Sequence, residues 1–563
     1  MSETPLPGEI VEADETEPDQ GHPRKWLILA TVSSGLVLGI LNVSLVNIAI
    51  PALIEEFGTT VSGASWVVNA FNITQAVLLL SFGRLADRYG QRRVYLTALS
   101  IFSLASLACG LAGSVDQLIA FRVLQAVGSA GIVPISLIIL LSVFPRHQHG
   151  LATGLWGAFG NAAAIIGPPV GGALITYGSW HWIFFMSLLV GIVAAILAFL
   201  FVPEMRREAA GSSLDGGGIG LSAAALFCLT LGIIQGNSWG WRSAQVLGLL
   251  AAAVVFLVAF LLWQNRARSP MLNLSLFRIR PFSAANAMGV VGGIGMAGST
   301  LLIVLFMINV LGYSELQAAL TMIPASIVAM ILSPFAGRLI DRLGPRYLGA
   351  VGTIFFAVAF FLFSQLRSDS SFWDVIWRQL FIGVALSVHM PAITAAGLTS
   401  LPLRASGVGS GMISTARQFG NILGIALLLA IYGHAALAGT EATVVRATEY
   451  VVTRQDLSAE VKEEATRVIE RNAEEGGAAA AASGSFFDPA AGLSDAFGGR
   501  VSAEVTDSLD ADLTAIAQSE MGRSYMWPFL VAAMFAVFGL PLAFLLGRRL
   551  GEAREPEAEE SRA

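Results

Sequence analysis

Long runs of apolar residues recur along nearly the whole chain and are separated by short polar stretches. A bilayer core about 30 Å thick is crossed by roughly 20 apolar residues in a helix that rises 1.5 Å per residue. Windows of this length and character cover residues 26–50, 64–83, 94–113, 117–141, 150–175, 181–202, 216–236, 244–263, 282–311, 317–337, 347–366, 375–400, 407–436 and 524–547. The pattern predicts an all-α transmembrane protein with fourteen spans.

Composition supports this interpretation. The chain is 55% hydrophobic and 13% charged, whereas about 25% of the residues of a soluble domain are charged. Cys109 and Cys228 both lie inside predicted spans, so neither a disulfide framework nor a thiolate metal site is indicated. No cluster of His, Cys or carboxylate side chains converges within the spans. We therefore expect no enzyme, no cofactor and no metal.

Lys and Arg distinguish the two sides of the membrane. Loops on one side hold about 21 of them, whereas the short loops on the other side hold two, Arg242 and Arg367. Short loops rich in Lys and Arg stay in the cytoplasm, so both termini are predicted to be cytoplasmic. The first span is too long for a signal-peptide core and has no cleavage pattern before it. We expect it to be retained in a multi-pass protein of the cytoplasmic (inner) membrane.

A sequence repeat divides the chain. Residues 83–90 read GRLADRYG and residues 337–344 read GRLIDRLG, and each copy follows the second span of its half. The repeat predicts two six-helix bundles, 26–202 and 282–547, which are joined by two linking transmembrane helices within 203–281. A cavity is expected between the two bundles near the middle of the membrane.

Three segments lie outside the predicted spans. The tails 1–25 and 548–563 are polar and acidic, and we expect them to be disordered in the cytoplasm. The outer loop 437–523 carries 16 acidic and seven basic residues, with a Gly/Ala-rich stretch at 476–484. We expect helical segments on either side of a flexible linker. The loop either docks a periplasmic or extracellular partner or is a tolerated insertion without a dedicated role.

A candidate conformational latch follows the second span. Its residues are Gly83, Asp87, Arg88, Gly90 and Arg92, with Asp341 in the second copy of the repeat. Gly83 and Gly90 permit a tight turn between helices, and Asp87 can cap a helix N-terminus and pair with an Arg. Such contacts would close the cytoplasmic side. The pattern Gly-x-Leu-Ala-Asp-Arg-x-Gly-x-Arg-Arg resembles the signature loop of the major facilitator superfamily.

Three other spans extend this resemblance. Span 5 contains a run that is similar to the glycine–proline motif of antiporters in that superfamily: Gly167, Pro168, Pro169, Gly171 and Gly172. Small residues let helices approach closely, and prolines let a helix bend. Arg122 and Gln125 in span 4 match the Arg-x-x-Gln of the superfamily. Span 13 resembles that of the fourteen-span drug:proton antiporter family, with Gly411 followed by Arg417 and Gln418.

The resemblance covers residues 26–436 and the last span, and it implies the major facilitator fold and export by proton antiport. The chain departs from the family at Asn42, which stands where the family has the membrane carboxylate that binds a proton. An amide cannot titrate, and every Asp and Glu lies in a tail, in a loop or at a span edge. A proton carrier would then be an acid at the margin, such as Asp87 or Asp341, or His389, or there is none.

Polar and aromatic residues on the helices that face the predicted cavity are candidates for substrate binding or coupling. They are Asn42, Asn69, Asn72, Gln75, Arg122, Gln125, Trp156, Asn161, His389, Arg417 and Gln418. Contacts between helices explain most of these residues equally well. Arg122 and Arg417 have two interpretations of equal weight: either they donate to helix carbonyls, or they attract an anionic or zwitterionic group of the substrate.

The sequence therefore predicts a transporter that exports amphipathic small molecules or drugs by alternating access, with protons as the coupling ion. An alternative is an uncoupled exporter, or an exporter of one anionic metabolite or lipid. A third hypothesis is a membrane scaffold or sensor that does not transport and that acts through the outer loop 437–523. No nucleic acid partner is indicated; the expected partners are a small-molecule substrate and the lipid bilayer.

Overall fold

The computed structural model describes residues 21–59, 61–204, 215–240, 242–267, 274–401, 406–474, 487–497 and 501–547. These residues are mostly helical and contain no strand. The predicted flexible linker at 476–484, the predicted C-terminal tail and the first 20 residues of the N-terminal tail lie outside the described residues.

The helices are α1 (Lys25–Phe57), α2 (Val61–Tyr89), α3 (Gln91–Gly110), α4 (Val115–Val143), α5 (His149–Tyr177), α6 (His181–Phe201), α7 (Gly216–Trp239), α8 (Ala244–Arg266), α9 (Arg280–Asn309), α10 (Glu315–Leu320), α11 (Ile323–Leu343), α12 (Pro345–Phe363), α13 (Phe372–Thr399), α14 (Ser406–Thr453), α15 (Ala459–Asn472), α16 (Leu493–Phe497), α17 (Ala503–Ser524) and α18 (Met526–Ala543). Below, the N-half denotes α1–α6, and the C-half denotes α9–α14 with α18.

The number of spans agrees with the sequence pattern. Thirteen helical stretches within the described residues are long and apolar enough to cross a membrane. Helix α2 adds a fourteenth, because its segments Gly63–Leu79 and Ser81–Tyr89 are bent by 50° and pass the same test together. The prediction of an all-α protein with about fourteen spans is confirmed.

Each half is built around buried aromatic and aliphatic side chains. In the N-half, Tyr95 and Phe102 of α3 are fully buried and pack with Ile138 of α4. In the C-half, Phe306 of α9 and Phe360 of α12 occupy the corresponding interior. These side chains fix the helices within each half, while the pairs α2–α14 and α5–α11 pack across from one half to the other.

One carboxylate holds the linking helices α7 and α8 together at their cytoplasmic ends. Asp215 is the N-cap of α7 and accepts from the backbone N–H of Gly218 at 2.8 Å. It also accepts from Trp263 Nε1 at 2.7 Å and from Gln264 Nε2 at 2.8 Å, both on α8. A capping residue of α7 therefore also sets the position of α8.

Helix α14 extends far beyond the predicted span, which ends at residue 436. It is a single helix of 48 residues, because helix-compatible sequence continues after the apolar composition has ended. Its outer part packs with α15, α16 and α17 around a separate apolar core in which Leu509 and Leu513 are fully buried. Arg446 and Glu520 add an ion pair at 2.6 Å between α14 and α17. We call residues 437–523 the outer unit.

Glycines allow α9 and α14 to approach backbone to backbone. A methyl group built on Gly424 would overlap the carbonyl of Ile294, and one built on Gly298 would contact the carbonyl oxygen of Gly424 at 2.5 Å. Such close packing between membrane helices depends on small residues. The α9–α14 contact is therefore fixed by residue size and tolerates little addition of volume.

We predict that Gly424→Leu destabilises the protein by about 1–3 kcal/mol, since overpacking a close helix contact forces the backbones apart. The matched control is Gly248→Leu on α8, because no atom lies within 4 Å of a Cβ at that position. Thermal unfolding of both variants in detergent measures the difference. Equal midpoints for the two variants would contradict the assignment of Gly424 to a tight contact.

Candidate functional site

A cavity of about 440 Å³ lies between the two halves. Its wall is formed by α1, α2, α4 and α5 of the N-half and by α9, α11, α13 and α14 of the C-half. This volume falls within the range of roughly 300–1,000 Å³ that is typical of small-molecule sites. Four residues that the sequence pattern singles out line the cavity: Gln75, Trp156, Asn161 and Arg417.

Helix α5 contributes one continuous face to this cavity. The lining residues Thr153, Trp156, Gly157, Gly160 and Asn161 follow the i, i+3, i+4, i+7, i+8 pattern, which places them on one side of a helix. Trp156 Nε1 donates to Ser136 Oγ of α4 at 3.1 Å, so the indole is held in place and the ring remains partly exposed. An oriented aromatic surface of this kind suits contact with an apolar ligand.

Several lining residues are not singled out by the sequence. The small polar ones are Ser44, Thr153, Ser333 and Thr394. The spacing from Thr153 to Trp156 and Asn161 is a signal that could have found Thr153, because all three share a face of α5. Ser333 and Thr394 lie on other helices, and nothing in their local sequence tells which face turns toward the cavity.

Arg122 lies in a buried polar network outside the cavity wall. Its Nη1 donates to Asn42 Oδ1 at 2.5 Å and to Gln125 Oε1 at 2.6 Å, and its Nε donates to the carbonyl of Val67 at 3.0 Å. The guanidinium also lies over the ring of Phe71, 4.0 Å from the centroid. Arg122 thus donates through Nε and Nη1 to acceptors on α1, α2 and α4 and lies against an aromatic face, while its buried Nη2 has no described acceptor.

The network extends through its amides to two further helices. Gln125 Nε2 donates to Ser106 Oγ of α3 at 2.7 Å, and Asn42 Nδ2 lies 3.4 Å from Ser187 Oγ of α6. No carboxylate of the described chain forms an ion pair with Arg122. For Arg122 these contacts favour the first interpretation, a donor that joins the helices of the N-half.

Arg417 has very different surroundings. It is partly exposed, lines the cavity, and its one described polar contact is from Nη1 to the sulfur of Met390 at 3.7 Å. A thioether is a weak acceptor. The structure therefore separates two arginines that look alike in sequence, because Arg122 donates to three oxygen acceptors and Arg417 lines the cavity with a thioether as its one described polar partner.

Other candidates lie away from the cavity. Asn69 and Asn72 on α2 are partly exposed and are not among its lining residues. Gln418 accepts from Asn421 Nδ2 at 3.5 Å, and of this pair it is Asn421 that lines the cavity. His389 is buried inside the C-half, with Nδ1 3.5 Å from Thr353 Oγ1 and its ring edge-on to Phe356. It has no described contact with the cavity.

Two carboxylates connect the halves at their cytoplasmic ends. Asp87, near the end of α2, accepts from the backbone N–H of Val408 in the first turn of α14 at 2.9 Å. Asp341, near the end of α11, accepts from the backbone N–H groups of Gly150 at 2.7 Å and Leu151 at 2.9 Å in the first turn of α5. Each repeat copy therefore caps the N-terminus of a helix in the opposite half.

Charge and geometry favour these contacts. The first N–H groups of a helix have no partner within the helix, and the helix dipole attracts negative charge to that end. Close backbone approach accompanies the second cap, because a methyl group built on Gly150 or Gly337 would overlap the backbone of the other residue. The caps and this tight contact join the two halves at this end.

The glycines that form turns in the repeat are only partly the ones predicted. Gly90 and Gly344 have φ of +94° and +88°, a region that glycine adopts readily, and each separates two helices. Gly83, by contrast, lies inside α2, so its predicted role in the turn is wrong. Arg92 pairs with Glu204 at 3.7 Å and donates to the carbonyl of Phe199, which ties it to the end of α6. Arg88 lies over the ring of Tyr89.

The glycine–proline run of α5 faces α1 in part. A Cβ at Gly167 would lie 2.8 Å from Ser44 Cβ, and one at Gly171 would lie 2.9 Å from Leu45 Cδ2, so these glycines let the two helices touch. A Cβ at Gly172 meets no atom within 4 Å. Helix α5 continues through Pro168 and Pro169 to Tyr177.

The helices and the cavity between two halves define a multi-pass membrane transporter. Comparison with known proteins agrees, because the family model of the Major Facilitator Superfamily matches residues 32–425. The chain belongs to this superfamily. It is a transporter and not an enzyme, and the resemblance predicted from its motifs is confirmed.

Relatives with described roles include exporters. The tetracenomycin C resistance and export protein of Streptomyces glaucescens is 32% identical over 405 residues, which cover 72% of this chain and 75% of the relative. Multidrug resistance protein Stp of Mycobacterium tuberculosis is 31% identical over 405 residues, with 71% and 75% covered. Multidrug export protein EmrB of Haemophilus influenzae is 29% identical over 405 residues, with 71% and 79% covered.

Solved structures share the fold at low sequence identity. The human organic anion transporter MFSD10 (TETRAN) is 15% identical with a TM-score of 0.56, and the match covers 73% of this chain and 94% of that one. A double Trp mutant of XylE is 12% identical with a TM-score of 0.55, with 93% and 99% covered. These similarities establish the major facilitator fold of the chain.

We predict that the double variant Asp87→Asn, Asp341→Asn opens the cytoplasmic side, since each change replaces a charge-assisted cap by a weaker neutral one. The reporter is Gly157→Cys in the cavity wall, in a background without Cys109 and Cys228. We expect a membrane-impermeant maleimide, added from the cytoplasmic side, to label it about tenfold faster.

The control for this measurement is Asp116→Asn, which removes an exposed carboxylate at the outer end of α4. Labelling in the control should match that of the parent protein. An unchanged rate in the double variant would show that the two caps do not hold the cytoplasmic side closed.

Proposed function

We propose that this protein exports amphipathic small molecules across the cytoplasmic (inner) membrane by alternating access. The observation that carries the proposal is the pair of reciprocal helix caps at the cytoplasmic side, below a cavity that both halves line. Relatives named as drug resistance and export proteins support the direction and the class of substrate.

The arrangement suggests how the cycle would proceed. With Asp87 and Asp341 capping α14 and α5, the cavity would be separated from the cytoplasm. Release of both caps would let the N-half, residues 26–202, rock against the C-half within residues 282–547 and admit substrate from the cytoplasmic side. Because both caps are reciprocal across the repeat, they would break together. The apolar wall and the held Trp156 ring suit the apolar part of a substrate.

Proton antiport is the energy source that the family resemblance implies, and we include it in the proposal. Asn42 cannot carry the proton, because its amide does not titrate and its Oδ1 already accepts from Arg122. Among the described residues that line the cavity there is no Asp or Glu. A proton carrier in this chain would therefore be a residue other than Asn42 that lies outside the cavity wall, as Asp87, Asp341 and His389 do.

The outer unit is the part of the chain that we propose for contact with a periplasmic or extracellular partner. Its own apolar core supports a folded module at this position, and the ion pair of Arg446 with Glu520 joins the α14 and α17 parts of this module. A protein that acted only as a scaffold through this unit would show no transport, with or without it.

The first of two predictions from this proposal concerns the coupling of export to protons. In proteoliposomes, we expect an imposed proton gradient to stimulate export of an amphipathic fluorescent dye by the unaltered protein several-fold. Asn42→Asp, which places a carboxylate beside Arg122, should change the pH dependence of export without being required for it. If only Asn42→Asp responds to the gradient, the natural protein is uncoupled. If neither protein moves dye, the proposal of drug export is wrong.

The second prediction concerns the outer unit. Replacing residues 447–516 by a short Gly/Ser linker should leave dye export from proteoliposomes within about twofold of the parent, because the cavity and both caps lie outside this unit. The linker spans a short gap, since Arg446 and Glu520 are in direct contact. Loss of export with an intact fold would instead place the outer unit in the transport path.

A further inference from the structure

The cavity between the halves contains one charged side chain. Among its lining residues in the described chain, Arg417 is the only one that is ionised at neutral pH. The remaining polar lining side chains carry hydroxyls, the amides of Gln75, Asn161 and Asn421, and the indole N–H of Trp156, which donates to Ser136. A binding site for a cation typically has a carboxylate in its wall, whereas the charge in this wall is the positive charge of Arg417.

The guanidinium of Arg417 is also available for a ligand. Its one described polar partner is the sulfur of Met390, and no carboxylate of the described chain pairs with it. Gln75, by comparison, already donates to Ser129 Oγ at 2.7 Å. Arg122 differs from Arg417, because its Nε and Nη1 form three hydrogen bonds to acceptors within the N-half.

A charged side chain within a membrane span is energetically costly, so Arg417 calls for a functional explanation. Arg near the middle of a membrane helix costs about 2.5–3.5 kcal/mol on insertion scales, and residues of this kind mark substrate pathways. In a site of low dielectric constant, an unpaired cation attracts an anion more strongly than it would in water. The planar guanidinium fork also matches the two oxygens of a carboxylate.

The rest of the wall defines the other end of the ligand. Leu36, Ile40, Val43 and Leu386 line the same space together with the Trp156 ring. Asn421 stands one helical turn beyond Arg417 on the same face of α14 and also lines the cavity, where its amide can accept or donate. The site therefore offers an apolar surface and one cationic pole.

We propose that the cavity selects amphipathic organic anions, with the carboxylate or a similar oxyanion of the substrate bound by Arg417 and its apolar body on the wall around Trp156. This inference rests on the proposed export function and narrows its substrate class. It also separates the two arginines by role: Arg417 binds substrate, and Arg122 positions the helices of the N-half.

Equilibrium binding to the full-length protein in nanodiscs tests the inference, with empty nanodiscs as the blank. The probes are dansylglycine, which is anionic, its neutral methyl ester, and dansylcadaverine, which is cationic. We expect dansylglycine to bind at least tenfold more tightly than either of the other two. Arg417→Gln should weaken its binding to the level of the ester and leave binding of the ester unchanged. Arg417→Lys should restore part of the preference.

Arg242→Gln is the matched control, because it removes an exposed Arg on the outer side that is not among the residues lining the cavity. It should retain the full preference for the anion. Unchanged binding of the ester to Arg417→Gln shows that the variant is folded. Equal binding of all three probes to the parent protein, or an undiminished preference in Arg417→Gln, would overturn the inference.

Transport separates this inference from the proposed function. If proteoliposomes export the cationic and the anionic probe equally well, the chain is an exporter but the anion selectivity is wrong. If they export neither probe, the export function itself is wrong. Export of dansylglycine that is lost in Arg417→Gln and kept in Arg242→Gln would support both.

Discussion

The contact between a carboxylate at the end of one helix and the unpaired N–H groups at the start of another is the interaction on which this structure depends. It occurs twice, at Asp87 with α14 and at Asp341 with α5. In both places the carboxylate and the helix belong to different halves. A helix start and an acid are each common at a cytoplasmic surface, but their reciprocal pairing makes the closing of one side a property of the repeat.

The reciprocity also explains why the two repeat copies need similar but not identical sequences. The acid, the following Arg and the turn glycine recur, since Gly90 and Gly344 both adopt positive φ. The glycine contacts beside the caps differ, because Asp341 lies next to the tight contact of Gly150 with Gly337.

Much of the fold can be predicted from local sequence, but the contacts of the candidate site can be predicted only in part. Apolar length predicts the spans, and Arg distribution predicts their orientation, because both depend on the bilayer and not on tertiary contacts. That Asp87 would cap a helix is predictable from residue type, but the identity of α14 as that helix is not, since 321 positions separate the partners. The end of α14 is missed because hydropathy reports where the membrane ends and not where a helix does. Arg122 and Arg417 look alike in sequence, and only the placement of neighbouring acceptors distinguishes them.

The unbroken course of α14 has a mechanical consequence. Its 48 residues rise about 70 Å, from the cytoplasmic cap at Val408 to the core of the outer unit. A helix of that length is a lever arm, so a tilt of about 10° at its cytoplasmic end would displace the far end by roughly 12 Å. A molecule bound to the outer unit would therefore be displaced when the cap between Asp87 and Val408 breaks on the opposite side of the membrane. This coupling would need neither a diffusing messenger nor a second conformational change.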